Sequence, residues 1–171
     1  HVPLVFDNPD NFKRHLFFSE MEAAKVIGDT VRDKGNPTQR WMADITQTAF
    51  NAEATVRKAW SNFKTPFNYG SGAISLQRVA ALIAAGFPTQ LYYTAFRNNS
   101  FDTHVYQVGV HERLLTYITD PILGFMQDME RLGRADDVIL MTLSEFGRRV
   151  PENTSLGTDH GQAGPMFLAG K

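Results

Sequence analysis

Asp137-Val138-Ile139-Leu140-Met141-Thr142-Leu143, followed at once by Ser144-Glu145-Phe146-Gly147-Arg148, is the stretch on which the fold turns. The first seven residues form a near-continuous apolar run of strand length, which fits a strand covered on both faces. The chain then turns polar within one residue. Upstream, Gln107 to Leu132 reads as a long helix ending on Gly133. Ahead of it, Thr89 to Phe96 is β-rich and bounded by turn residues. Ile74 to Ala85 is a short apolar helix that stops at Gly86. Downstream, the glycine-rich loop Gly157-Thr158-Asp159-His160-Gly161 leads into a third short strand, Pro165 to Ala169. Helix, strand, long helix, strand, loop, strand is the order of an α/β sheet with crossover helices. Polar residues just past the carboxyl ends of such strands line the ligand crevice.

Working outward to the N-terminal side, residues 1–15 are polar and turn-rich, with a turn expected at Asp7-Asn8-Pro9-Asp10. From Phe17 to Arg32, Met21, Ala24, Ile27 and Val31 recur at helical spacing, and Gly35-Asn36-Pro37 stops that helix. An alanine-rich helix follows from about Thr38 to Phe63, then a loop through Pro66, Gly70 and Gly72. The expected organisation is a helical N-terminal segment, residues 1–72, acting as a cap or as packed helices. Residues 73–171 form an α/β core carrying the site. The chain opens on His1 and closes on Met166-Phe167-Leu168-Ala169-Gly170-Lys171, a strand running into its loop. A longer parent is expected at both ends, with the core continuing past Lys171.

With 171 residues, 43% of them hydrophobic, the chain can bury one sizeable core. Its 17 basic and 18 acidic residues give a formal charge of -1, so nothing draws it to nucleic acid or to an anionic membrane. The absence of cysteine excludes disulfides, zinc–thiolate sites, iron–sulfur clusters and a cysteine nucleophile. No apolar run approaches the roughly 18 residues of a membrane span. No basic segment followed by an apolar one opens the chain.

The polar clusters fall where an α/β sheet would use them. Asp102 and His104 follow strand 89–96; Ser144, Glu145 and Arg148 follow strand 137–143; Asp159 and His160 lie in the loop before strand 165–169. In a parallel sheet these loops open on one edge. The carboxylates and imidazoles then suit a divalent cation of the zinc or manganese type. Blander readings stand beside this one. Asp102 can cap the helix that follows it, His104 can be a residue of the helix start, and Glu145 can pair with Arg148 or Arg149. His111-Glu112 reads as solvated helix surface, because no second histidine follows four residues on. Gly70-Ser71-Gly72 reads as an ordinary loop, since no strand precedes it. Ser144 with His160 and Asp159 suggests a serine hydrolase, but Leu143-Ser144-Glu145-Phe146-Gly147 is no nucleophile elbow.

Taken together, Phe101-Asp102-Thr103-His104, Leu143-Ser144-Glu145-Phe146-Gly147-Arg148, Asn153 and Gly157-Thr158-Asp159-His160-Gly161 resemble, in order and spacing, the domain of unknown function 1501 family. That family is often labelled sulfatase-like and placed in the alkaline phosphatase superfamily. The resemblance spans roughly residues 75–171. It implies a three-layer α/β/α sandwich of alkaline-phosphatase-like type, present here as a partial domain. It also implies a metal-dependent hydrolase of phosphate or sulfate esters. Asp102, His104, Glu145 and His160 then stand as metal ligands, with Asp159 a further ligand or the group that orients His160. Arg148 would contact the anionic group of the substrate. The cofactor would be a divalent metal: zinc, manganese or calcium. The nucleophile would lie upstream of residue 1. Phe146 stands where the superfamily carries a histidine, and an aromatic ring has no lone pair for zinc. The alternative is therefore a non-catalytic binding or assembly subunit that keeps the fold. The expected partner is a small anionic ester or a protein assembly. Family members commonly carry a twin-arginine signal, which implies a periplasmic or exported location.

Overall fold

The computed structural model describes residues 8, 9, 18–71, 74–95 and 101–171. The chain divides into two compact units, His1–Phe63 and Lys64–Lys171. The loop after residue 63, grouped above with the N-terminal helices, belongs to the second unit. The expected turn at 7–10 lies outside the described residues except for Asn8 and Pro9.

The first unit is a pair of helices, α1 (Phe18–Lys34) and α2 (Pro37–Asn62). The break between them is steric as well as conformational, because a side chain at Gly35 would collide with the Val31 carbonyl. Asn36 restarts the chain as a helix. Its side-chain oxygen accepts from the Gln39 backbone N–H at 3.0 Å, and the Gln39 side chain accepts from the Asn36 N–H at 2.9 Å. This reciprocal pair satisfies two otherwise orphaned donors, and Pro37 needs no partner at the first position. Ala52, Val56 and Ala59 are buried at helical spacing on α2.

In the second unit, α3 (Ile74–Ala84) packs on α4 (Gln107–Arg131). Leu76, Val79, Ala80, Ala81 and Leu82 form the buried face of α3. It ends on Gly86, whose φ of +68° is the left-handed C-terminal stop that glycine adopts without penalty. The second half of α4 supplies the rest of the core through Pro121, Gly124, Phe125, Asp128 and Met129. At Gly124 a Cβ would come within 2.6 Å of the Asn68 carbonyl oxygen, so the 65–71 loop lies directly on the helix. Tyr69 locks that contact. Its hydroxyl donates to Asp128 Oδ2 at 2.8 Å, and Arg131 Nε donates to the other carboxylate oxygen at 2.8 Å. Burial first, then the Asp128 carboxylate, raises the Tyr69 phenol well above its ordinary value, so it remains a donor.

After a 3-10 turn at Ala135–Asp137, the strands are short. β1 (Ile139–Met141) pairs with β4 (Leu168–Gly170), and β2 (Gly147–Arg148) pairs with β3 (His160–Gly161). Both pairs are antiparallel. Among the described residues the polar loops therefore meet beside antiparallel ladders rather than on one edge of a parallel sheet. Chain 144–167 turns back on itself without a crossover helix, and a return of that kind yields an antiparallel ladder. Two further expectations differ. Residues 89–95 join no ladder among the described residues, and Leu91 and Tyr93 there are 85% and 81% exposed; Phe96 lies outside the described residues. β1 is not covered on both faces either: Ile139 is 72% exposed and Met141 51%, so the face these two alternate residues share lies open among the described residues. Among the described residues no helix is long and apolar enough to cross a membrane.

Candidate metal centre

Three segments build the site: residues 101–106 leading into α4, the β2–β3 ladder, and the loop 153–159. Helix α4 begins on Tyr106, held left-handed at φ 45°, with no side-chain cap. Loop carbonyls take that role instead. Tyr106 N–H donates to Ser155 O at 3.0 Å and Gln107 N–H to Leu156 O at 2.8 Å. Asp102 is thus not the helix cap, and its carboxylate is left for other partners. Gln107 bridges the two segments, donating to Thr103 Oγ1 at 2.8 Å and accepting from Thr158 Oγ1 at 3.0 Å. Gly157 is buried against the His104 carbonyl, which any Cβ would strike. In the β2–β3 ladder Arg148 stands opposite His160.

Asp102, His104 and His160 come together. Asp102 Oδ1 lies 2.7 Å from His160 Nε2 and 3.0 Å from His104 Nε2, and the two Nε2 atoms are 3.1 Å apart. A carboxylate oxygen and two imidazole nitrogens therefore form a closed triangle. Only protons or a cation can relieve the facing lone pairs. Tetrahedral bonds of about 2.0–2.1 Å put ligand atoms roughly 3.3 Å apart, so a few tenths of an ångström of spreading seats a zinc-sized ion. The donor set suits zinc or manganese; calcium, which prefers six to eight oxygens, suits it poorly. The three side chains keep 33%, 40% and 47% of their surface, which leaves coordination positions open to solvent.

Asp159 stands behind this triangle. Its Oδ1 is 3.5 Å from His104 Nδ1, so the imidazole it can orient is His104 and not His160. A hydrogen bond from Asn153 holds the Asp159 carboxyl below the usual range, and one from His160 does the same for Asp102. Glu145, expected as a ligand, is exposed and is not among the residues that converge. Phe146 lies flat on His160, ring centroids 3.8 Å apart and planes 15° off parallel. Arg148 turns inward. Its guanidinium donates to Thr158 O at 2.5 Å, Phe101 O at 2.6 Å and Asp102 Oδ1 at 3.3 Å, and lies 4.9 Å from the Phe146 ring centre. It clamps protein oxygens where a substrate contact was expected. Ser144 Oγ donates to the Phe146 carbonyl at 2.6 Å, which ties it to its own turn. His111 is half-buried edge-on to Phe101, not a solvated surface residue. Sequence reasoning placed Asn153 in a motif but gave it no task; its one local signal is the asparagine-to-glycine turn spacing up to Gly157.

The family model described as "Protein of unknown function (DUF1501)" matches residues 77–170, more than half of the chain and all of the segments that build the centre. No curated protein and no solved structure matches the chain.

Proposed function

The chain belongs to the DUF1501 family, and from that premise we propose that it holds one divalent cation, zinc or manganese, at Asp102, His104 and His160. On this proposal the protein is a metal-dependent hydrolase of phosphate or sulfate esters, built on an alkaline-phosphatase-like α/β/α scaffold. The observation that carries it is the closed triangle of Asp102 Oδ1 and the two Nε2 atoms, with every edge between 2.7 and 3.1 Å. Three protein ligands with solvent at the remaining positions is the arrangement of reactive rather than structural sites. A cation there supplies Lewis-acid polarisation of an ester oxygen and neutralises developing charge. The chain's own groups do the rest. Asp159 Oδ1 faces His104 Nδ1–H at 3.5 Å as its acceptor, which keeps that proton on Nδ1 and aims the Nε2 lone pair at the triangle. Arg148 fixes the Asp102 carboxylate and ties the Phe101 carbonyl beside it to the Thr158 carbonyl of the facing loop. Export to the periplasm or cell surface belongs to the same proposal and rests on the family resemblance.

A second reading, a binding or assembly subunit that keeps the fold, draws on Phe146. The ring packed on His160 cannot serve as a ligand, and Glu145 stands outside the group, so among the described residues ligands for a second cation are not assembled. Metal content by plasma mass spectrometry decides first. The hydrolase reading expects near-stoichiometric zinc or manganese in the purified protein, lost in His160→Ala, with turnover of phosphate or sulfate esters. A folded protein that carries no metal and takes none up would sink it and leave the assembly reading.

A further inference from the structure

We infer that Asn153 is the positioning residue of this centre, its side-chain amide setting the separation of the His104 and His160 donors. A primary amide offers two N–H donors and a carbonyl with two lone pairs, and here all four are in use. Oδ1 accepts from Ser155 N–H at 2.9 Å and Gly157 N–H at 3.0 Å, which folds the residue's own loop. Nδ2 reaches outward, donating to the His104 carbonyl and to Asp159 Oδ1, each at 3.1 Å. These two acceptors lie on different segments. One is the backbone that carries His104; the other adjoins His160 in sequence and faces His104 Nδ1. The backbone closes the same loop, Asn153 N–H donating to Gly157 O at 2.8 Å. The oxygen of Asn153 therefore shapes the loop, while its nitrogen holds the two halves of the centre in register.

This division makes the roles separable. Asn153→Asp keeps an oxygen for Ser155 and Gly157 but turns both outward contacts into oxygen facing oxygen. Asp159 and the His104 carbonyl are then pushed away from residue 153. The substitution also adds negative charge beside the centre, which by itself would strengthen cation binding. Positioning and simple electrostatics thus predict opposite signs.

The inference rests on the cation reading for its functional meaning and on geometry alone for its structural one, and the experiment separates the two. Zinc and manganese affinities of the wild type, Asn153→Asp, Asp159→Ala and the double variant are measured by chelator competition. Imidazole ¹⁵N spectra and amide exchange at Ser155 and Gly157 are recorded on the metal-free proteins. The expected result is an affinity about 10–100-fold weaker in Asn153→Asp, shifted His104 ring resonances and slow exchange retained at both amides. The double variant should be less than additive. Unchanged or tighter binding in Asn153→Asp overturns the inference. So do unmoved ring resonances, whatever the metal does. If the wild type binds neither cation yet the His104 resonances move, the cation reading fails and the positioning role stands. Should the loop open in Asn153→Asp, Asp159→Ala decides through the His160 ring, because it cuts the outward contact on that side and leaves Ser155 and Gly157 bonded; unmoved His160 resonances there overturn the inference.

Discussion

Asp128 is fully enclosed, and a carboxylate survives there only because Tyr69 and Arg131 bond both of its oxygens. Removing one donor leaves a desolvated oxygen, so Tyr69→Phe should lower stability by about 1–3 kcal/mol, read by denaturant unfolding. Gly157 faces a different constraint. Its neighbour is backbone, which cannot rotate away, so Gly157→Ala should lower both melting temperature and cation uptake by displacing His104. Acid should act through Asp102, whose folded pKa is lowered chiefly by the hydrogen bond from His160. A lowered carboxylate contributes stability above its unfolded pKa and loses it as pH falls through the folded value. The melting-temperature gap between wild type and Asp102→Asn should therefore persist at pH 5, begin to narrow near the ordinary aspartate value of about 4 and close only as pH falls through the lower folded value. At this scale the sequence disclosed residue types but not directions. Asp102, His104 and His160 were legible as candidates. That Arg148 points inward, and that Glu145 stays out, depends on which face each side chain takes, and a one-residue change of register reverses that.

Helices were the legible elements. The signals that mark α1, α2, α3 and α4 are local, and the ends of α1, α3 and α4 are written in Gly35, Gly86 and Gly133. Ladders depend on a partner that no local pattern specifies. The apolar run 137–143 yields a strand of three residues, 139–141, and the equally β-rich 89–95 yields none among the described residues. Two predictions belong here. Asn36→Ala removes half of the reciprocal cap on α2 and should cost about 1 kcal/mol, seen as lower helicity on heating. Leu156, exposed and held at φ 59°, sits where a branched side chain crowds its own carbonyl. Leu156→Asn keeps the loop carbonyl that starts α4 and should raise stability by about 1 kcal/mol.

At the scale of the molecule, the bonds described at the centre all join residues between 101 and 163, inside the second unit. A chain of residues 64–171 should accordingly bind zinc as the longer chain does, measured by calorimetric titration of both. The composition, with 17 basic and 18 acidic residues, offers the centre no long-range attraction, so on the cation reading its affinity would come from local geometry. The separations along the chain have a consequence for folding. Asp102 and His160 are 58 positions apart, and their meeting closes a large loop in a protein without a single cysteine. An ion gripping both exists only where the fold has brought them together, so it would stabilise the folded chain by mass action, by about 2.7 kcal/mol when free ion stands at a hundred times its Kd. Metal supply would then govern how long the chain survives proteases, with the α3–α4 core outlasting the loops whenever a chelator takes the ion away.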